Sequence, residues 1–470
     1  MNDIHVLLEQ QFSQNPTSQQ QQVFLLIEKF LNSDNGNECF LLKGYAGTGK
    51  TTIISALVKV LPKLALKSVL LAPTGRAAKV ISNYSGKKAL TIHKKIYRKK
   101  DTVTPDMNFV LGENLFENTI FIVDEASMIS DQSNDFSRQN LLQDLVTYVY
   151  NGKNCKLMLV GDTAQLPPVG SSYSPALDLE KLKSYFALDL FSYELTDVVR
   201  QEKASGILHN ATQIRELIRT ETQVFPKFTI KGFKDIYQMT GERLVEGLNY
   251  AYNKYGMDNT LVICRSNKNA NSFNQNIRNR ILYREEELTG GDLIMIVRNN
   301  YFWLQHDENN GGFIANGDIA RVRKVKNIQD QYGFRFAEVV LELIDYPNEE
   351  PLSCKVLLDT LYAETPSLSP ADNKRFYEAV AEDYKHINNK RLRLLEMKNN
   401  PYYNALQIKF AFTVTCHKAQ GGQWDAVFID QGYLTDEMLN TEFLRWLYTA
   451  VTRTTKELFL VNFSERFFSD

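Results

Sequence analysis

The sequence predicts an α/β protein built from two parallel-sheet domains, the second interrupted by a small β-barrel. Three observations carry this. Short apolar runs alternate with helical patterns from Cys39 to Val160, a second set of such runs returns at Thr260, and a stretch of different character separates that set's first two members. Strands that alternate with helices pair in parallel, take helices on both faces, and present ligands at their C-terminal ends.

The first set comprises Cys39–Leu42, Ser68–Leu71, Thr119–Val123 and Lys156–Val160, with a helical pattern at Thr51–Val60. Each run leads directly into a polar or Gly-rich loop. The second set comprises Thr260–Cys264, Ala411–Thr415, Ala426–Ile429 and Leu458–Val461. Between them, Asp292–Val297, Asp318–Val325 and Ala337–Ile344 alternate in strand fashion, with turn signals at Asn316-Gly317 and Tyr346-Pro347. Ala371–Asn399 is charged and helical in composition, with Lys390, Arg391 and Arg393 clustered. The expected division is 1–200 for the first domain, 201–290 plus 405–470 for the second, and 291–404 for an inserted barrel with a helical arm.

At 470 residues the chain exceeds what one core supports, in keeping with several domains. Its 43% hydrophobic and 23% charged residues are ordinary for a soluble protein. No apolar run reaches the length of about 18 that a membrane span needs, and Met1–Gln10 carries no signal-peptide pattern. The five cysteines are far apart, which argues against a zinc site or a disulfide framework and suits a reducing cytoplasm. A net charge of −1 does not exclude a nucleic-acid partner. A protein that must release its track at every step holds few phosphates, and holds them with amides and hydroxyls as much as with Lys and Arg.

Gly44-Tyr-Ala-Gly-Thr-Gly-Lys50-Thr51 fits GxxxxGK[ST] between a strand and a helix. Its glycines let backbone amides wrap phosphates at a helix N-terminus, which favours anions. Gly44, Ala46, Gly47, Thr48, Gly49, Lys50, Thr51 and Thr52 are the expected nucleotide contacts, with Lys50 at the β- and γ-phosphates and the Thr51 hydroxyl on magnesium. Phe121-Ile-Val-Asp124-Glu125 supplies the acidic pair, Asp124 for magnesium and Glu125 for orienting and deprotonating water. Gly161-Asp162-Thr-Ala-Gln165-Leu-Pro-Pro168-Val-Gly170 follows the next strand and offers Gln165 toward the γ-phosphate. ATP and magnesium are therefore expected.

Together, Glu125-Ala126-Ser127-Met128 and GDxxQLPPVG resemble helicase superfamily 1. Ala72-Pro73-Thr74-Gly75-Arg76-Ala77-Ala78-Lys79, Thr91-Ile92-His93 and the Asn316-Gly317-Asp318 turn resemble the RecD and Dda subgroup, superfamily 1B. Thr415-Cys416-His417-Lys418-Ala419-Gln420-Gly421 resembles motif V, and Leu447-Tyr448-Thr449-Ala450-Val451-Thr452-Arg453 resembles motif VI. The resemblance runs from Pro16 to Val461 and is thin over Glu221–Asn259 and Gln329–Asn399. It implies two RecA-like domains with the nucleotide between them, an SH3-like barrel, and 5′→3′ movement on DNA.

By the same resemblance, Thr17-Ser-Gln-Gln20 is a Q motif in which Gln20 reads adenine; Thr17 with Gln20 is also a capping box, and the two roles coexist. Arg200 and Arg453 match the arginines that reach the γ-phosphate, and Gln420 with Gly421 joins the nucleotide site. Pro73, Thr74, His93, Thr415 and His417 match residues that touch the strand. Tyr97–Asn118 resembles the β-hairpin pin that splits duplex, with Phe109 as its wedge. The implied partners are single-stranded DNA and duplex junctions, engaged by a monomer. An RNA helicase, or a nucleic-acid-binding ATP switch that unwinds nothing, shares much of this pattern.

Overall fold

The strand Glu38–Gly44 is buried along nearly its whole length because parallel neighbours flank it and helices cover both of its faces. The computed structural model describes residues 3–99, 109–134, 137–198, 205–304, 314–346 and 349–468. The first sheet is parallel throughout, in the order Asp189–Leu195, Glu38–Gly44, Lys153–Gly161, Glu117–Val123, Lys67–Ala72, Ala89–Thr91. Phe24, Ile53, Leu57 and Ile81 fill one face and Leu142, Leu145 and Tyr148 the other.

All four expected runs of the first domain lie on these central strands. The two edge strands were not expected, for a physical reason. Ala89–Thr91 is three residues long, and Asp189–Leu195 is half exposed, so neither has the continuous apolar signal of a central strand.

The second sheet is also parallel, in the order Ile236–Met239, Thr454–Val461, Trp424–Asp430, Thr260–Cys264, Thr413–Thr415. The inserted unit is a closed barrel of Leu293–Ile296, Ile319–Gln331, Phe334–Leu343, Leu352–Leu357 and Leu406–Phe410. Gly317, at φ 94, makes the expected turn before its second strand, while Pro347 of the other expected turn lies outside the described residues. The barrel's fifth strand lies past residue 404, and the run read as Ala411–Thr415 holds only the short sheet strand Thr413–Thr415. Ala411 and Phe412 are buried between the two strands, so no polar turn residue marks where the chain passes from barrel to sheet. Helices Pro370–Asp383 and Lys390–Asn399 form the expected arm, which packs Phe376, Val380 and Met397 on Phe334, Phe336 and Leu357.

Tyr97–Lys99 pairs antiparallel with Phe109–Leu111, giving the expected hairpin, with Lys99 opposite Phe109. Lys100 and Thr104-Pro105 lie outside the described residues. Among the described residues no helix is long and apolar enough to cross a membrane.

Asp292 anchors the base of the barrel. Fully buried, it accepts from Arg278 Nε and Nη2 at 3.0 Å each and from Arg284 Nη1 at 2.7 Å. Removing one member of a buried ionic group leaves uncompensated charge, which costs about 3–5 kcal/mol. Asp292→Ala is therefore expected to lower stability by about that amount, read as a lower urea midpoint. An unchanged midpoint would show that the two arginines find water instead.

Candidate active site and strand-binding face

The P-loop needs its glycines. Gly47 and Gly49 sit at φ 77 and 87, and a Cβ at Gly44 would stand 2.9 Å from Thr48 Oγ1 and 3.0 Å from Leu195 Cβ. Helix Lys50–Val60 begins there, with Thr51 and Thr52 in its first turn. Lys50 Nζ donates to the carbonyls of Gly44 (2.6 Å) and Tyr45 (2.8 Å), which holds the ammonium over the loop. Thr17 and Gln20 form the capping box, with the Thr17 N–H donating to Gln20 Oε1 at 2.9 Å. Gln20 Nε2 also donates to the Thr48 carbonyl at 3.1 Å, so the same glutamine ties helix Ser18–Asn32 to the P-loop.

Asp124 and Glu125 end the strand Glu117–Val123, and the Lys153–Gly161 strand lies between them and the P-loop strand. The three loops therefore emerge side by side at one sheet edge. Burial and the adjacent Glu125 carboxylate push the Asp124 carboxyl up to about 7, which a bound cation would reverse. Glu125 sits at φ 52, a left-handed conformation that costs a non-glycine residue roughly 1–3 kcal/mol and persists only where surrounding structure imposes it. Gln165 is buried, and its Oε1 has no hydrogen-bond partner among the described residues. An unsatisfied buried acceptor on this loop suits a water or phosphate contact.

The second domain reaches this edge through helix Thr441–Val451. Residues three and four apart share a helix face, so Arg445, Tyr448 and Thr449 point the same way. Arg445 Nη1 donates to the Ser172 carbonyl (2.9 Å), and Thr449 Oγ1 accepts the Leu166 N–H (2.9 Å). The Tyr448 hydroxyl accepts the P-loop N–H of Ala46 at 2.9 Å and donates to Asp162 Oδ2 at 2.7 Å. Gln420 Nε2 donates to the Leu166 carbonyl at 2.7 Å. Arg453, also buried, donates to the carbonyls of Thr449 (3.1 Å) and Gly422 (3.2 Å) and stands 3.7 Å from Glu125 Oε1.

A second face lies where the motif Ia and motif V loops meet. Pro73 and Thr74 end the strand Lys67–Ala72, and Thr74 Oγ1 caps helix Gly75–Ser85 by accepting the Ala77 N–H at 3.2 Å. Across from it, a Cβ at Gly421 would stand 2.6 Å from Ala77 Cβ and 3.2 Å from Thr74 Oγ1. Gly421 therefore packs against Ala77 and against Thr74, one of the expected strand residues of the first domain. Thr415 and His417 lie on the same short segment, Thr413–Ala419, and are half-buried. The barrel closes the junction: Arg76 pairs with buried Asp345 at 3.1 Å and stacks on Trp424 at 4.8 Å, while Lys94 stands 4.2 Å over the Tyr346 ring. His93 is held down to about 4 by burial, so its imidazole is neutral.

Comparison with known proteins fits this geometry. The AAA domain family matches residues 17–223 and the UvrD-like helicase C-terminal domain family matches 410–461. The ATP-dependent DNA helicase dda of Enterobacteria phage T4 is 24% identical over 451 residues, covering 89% of this chain and 93% of that protein. By these matches the chain is similar to helicases of superfamily 1B. The ATP-dependent RecD2 DNA helicase of Deinococcus radiodurans is 31% identical over 185 residues, which is 37% of this chain and 22% of that protein. A crystal structure of Pif1 helicase from Bacteroides in complex with ADP-AlF3 and ssDNA covers 97% of this chain and 95% of its own at 16% identity, with a TM-score of 0.48.

In the structure, the P-loop, Asp124, Glu125, Gln165, Gln420 and Arg453 come together around one cleft. Arg200 lies outside the described residues, and Phe109 is described by its backbone alone, on the hairpin. The cross-domain roles of Tyr448, Thr449 and Arg445 were missed in the sequence. Their only signal was their i, i+3, i+4 spacing ahead of Arg453, which an ordinary helix face shares.

The His93 shift has a consequence for stability. Its folded value lies below the unfolded one of about 6.5, so the unfolded chain binds more protons between the two. The stability contributed by neutral His93 is complete above that unfolded value and is lost as pH falls toward 4. His93→Gln is expected to lose stability less steeply than wild type over this window. Parallel pH profiles of thermal midpoint would show that His93 is solvated.

Proposed function

We propose that the chain is an ATP-driven DNA helicase that moves 5′→3′ along a single strand as a cytoplasmic monomer and separates duplex at a junction. The observation that carries this reading is Arg453 of the second domain standing 3.7 Å from Glu125 of the first, with Lys50 on the same cleft. Lys50 and the P-loop amides take the ATP phosphates, and Gln20 takes the adenine. Thr51 and Asp124, a hydroxyl and a carboxylate, are hard oxygen donors that would hold magnesium, which supplies charge neutralisation at the phosphates. Glu125 orients and deprotonates the attacking water, with Gln165 beside it. Arg453 and Arg200 stabilise charge that develops in the transition state, an effect that can reach roughly 10³–10⁵ in rate.

In this reading the working units are 1–200, 201–290 with 405–470, and 291–404. Pro73, Thr74 and His93 grip the strand from the first unit, and Thr415 and His417 from the second. Hydroxyls, amides and imidazoles contact phosphate and sugar without reading bases, which allows movement over any sequence. ATP closes the cleft and product release opens it, so alternating grip becomes a step.

Strand displacement on substrates carrying either a 5′ or a 3′ tail tests the whole proposal. Unwinding is expected only from the 5′ tail and only with ATP and magnesium; displacement from the 3′ tail alone would reverse the assigned direction, and none from either would remove the helicase. Glu125→Gln should retain ATP binding and lose turnover, and normal hydrolysis in that variant would sink the general-base assignment.

The hairpin makes a separate prediction. Stepping pulls a strand, whereas separation needs an obstacle on which the terminal pair breaks. Aromatic–base stacking is worth roughly 1–3 kcal/mol, comparable with the roughly 1.4 kcal/mol of duplex stacking it replaces. Phe109→Ala should slow unwinding while DNA-stimulated ATPase stays near wild type. If both fall together, Phe109 belongs to the domain core.

A further inference from the structure

The contact made by Tyr448 goes beyond the roles that the motifs assign. Its side chain is 1% exposed and lies on the second domain, yet both groups it bonds belong to the first. One is the backbone N–H of Ala46, inside the P-loop between Gly44 and Lys50. The other is Asp162, fully buried, whose second oxygen accepts the Ala164 N–H at 2.9 Å and so holds the turn that leads to Gln165.

We propose that Tyr448 is a positioning residue that latches the closed cleft, its hydroxyl joining the phosphate loop to the Gln165 turn when the second domain is docked. This rests on the ATP-driven reading of the same cleft and adds the contact that makes closure depend on the P-loop and the Gln165 turn together.

The physical argument has three steps. A phenol oxygen can accept one hydrogen bond and donate another at once, which a phenylalanine ring cannot, and here it does both, between the part-buried Ala46 amide and the buried Asp162. Asp162 is acceptor-only when ionised, and the bond from Tyr448 reaches a carboxylate, the stronger class of hydrogen bond. Finally, Tyr448 lies five residues before Arg453 on one helix and its connection. The docking that seats the hydroxyl on Ala46 is therefore the docking that brings the guanidinium toward Glu125. Loops that shift with the nucleotide shift Tyr448, and Tyr448 carries Arg453 with it.

A latch of this kind acts on the closed state alone, so the test compares ligands that differ in the closure they demand. Tyr448→Phe keeps the ring and deletes the hydroxyl. In the full-length protein with single-stranded DNA, affinity for adenylyl imidodiphosphate should fall by about tenfold to a hundredfold, the span expected for a hydrogen bond to a charged group. Affinity for ADP, which does not require the closed cleft, should stay within about twofold. By reciprocity, the effect of adenylyl imidodiphosphate on DNA affinity should shrink by the same factor.

Equal loss for both nucleotides would mean a merely structural tyrosine and would overturn the latch, as would an unchanged ratio. If Tyr448→Phe does not fold, Asp162→Asn weakens the same bond while leaving the ring packed, and the same two ratios decide. Should wild type neither bind adenylyl imidodiphosphate nor hydrolyse ATP, the proposed function itself fails. Intact wild-type activity with an unmoved ratio in the variant removes only the latch.

Discussion

Everything in the site depends on how the helix Thr441–Val451 meets the loops of the other domain. Its apolar side, through Phe443, Leu444, Leu447 and Val451, is committed to the core of its own domain. Its other side carries hydrogen-bonding groups at 445, 448 and 449, and these answer polar groups across the cleft: the N–H groups of Ala46 and Leu166, the Ser172 carbonyl and the Asp162 carboxylate. Each exchange replaces a bond that water could make, so its net worth is about 0.5–1.5 kcal/mol, somewhat more where a charge takes part. A handful of such bonds holds two domains together without locking them. An apolar interface of the same size would resist opening; a purely ionic one would demand exact partners before it closed.

The cleft also concentrates the costs that the fold accepts. Glu125 occupies a left-handed backbone conformation beside an Asp124 carboxyl raised by burial, and Gln165 keeps an unsatisfied oxygen. These three sit on loops leaving neighbouring strands of one parallel sheet. The strands supply the stability: Phe40, Leu42, Phe121, Val123, Met158 and Val160 are fully buried. A rigid sheet with strained loop ends is how a protein keeps charged, under-bonded groups close together when each alone would relax toward water.

How much of this was legible in the sequence follows from which interactions are local. The placement of Lys50, Thr51, Asp124 and Glu125 just past strand ends could be read because it depends on a few consecutive residues and on the strand before them. Gln20 was readable as a cap because its partner Thr17 is three residues away, whereas its bond to the Thr48 carbonyl, across 28 residues, was not. The barrel announced itself by alternation, but its fifth strand, Leu406–Phe410, did not, because it runs into the buried Ala411–Phe412 without a turn residue. Tyr448 is the clearest case. Nothing in the spacing of Leu447-Tyr448-Thr449 separates a core tyrosine from one that spans 402 residues to the Ala46 amide.

The face proposed to bind the strand raises a question of where the molecule would yield if the domains moved. Helix Gly75–Ser85 is held from two sides. Arg76 stacks on Trp424 of the second domain and pairs with Asp345 of the barrel, while Lys79 donates to the Ile344 carbonyl at 2.6 Å. The Asp345 side chain is fully buried, so parting it from Arg76 strands a charge, at about 3–5 kcal/mol for a buried pair. The neutral bonds at the nucleotide cleft, Ala46 N–H to Tyr448 and Leu166 N–H to Thr449, each cost several-fold less to exchange for water, while the Tyr448 bond to buried Asp162 costs more than they do. If the domains part as the proposed function requires, the Arg76–Asp345 contact would be the costly one to break, and the neutral bonds facing the P-loop edge the ones to yield first.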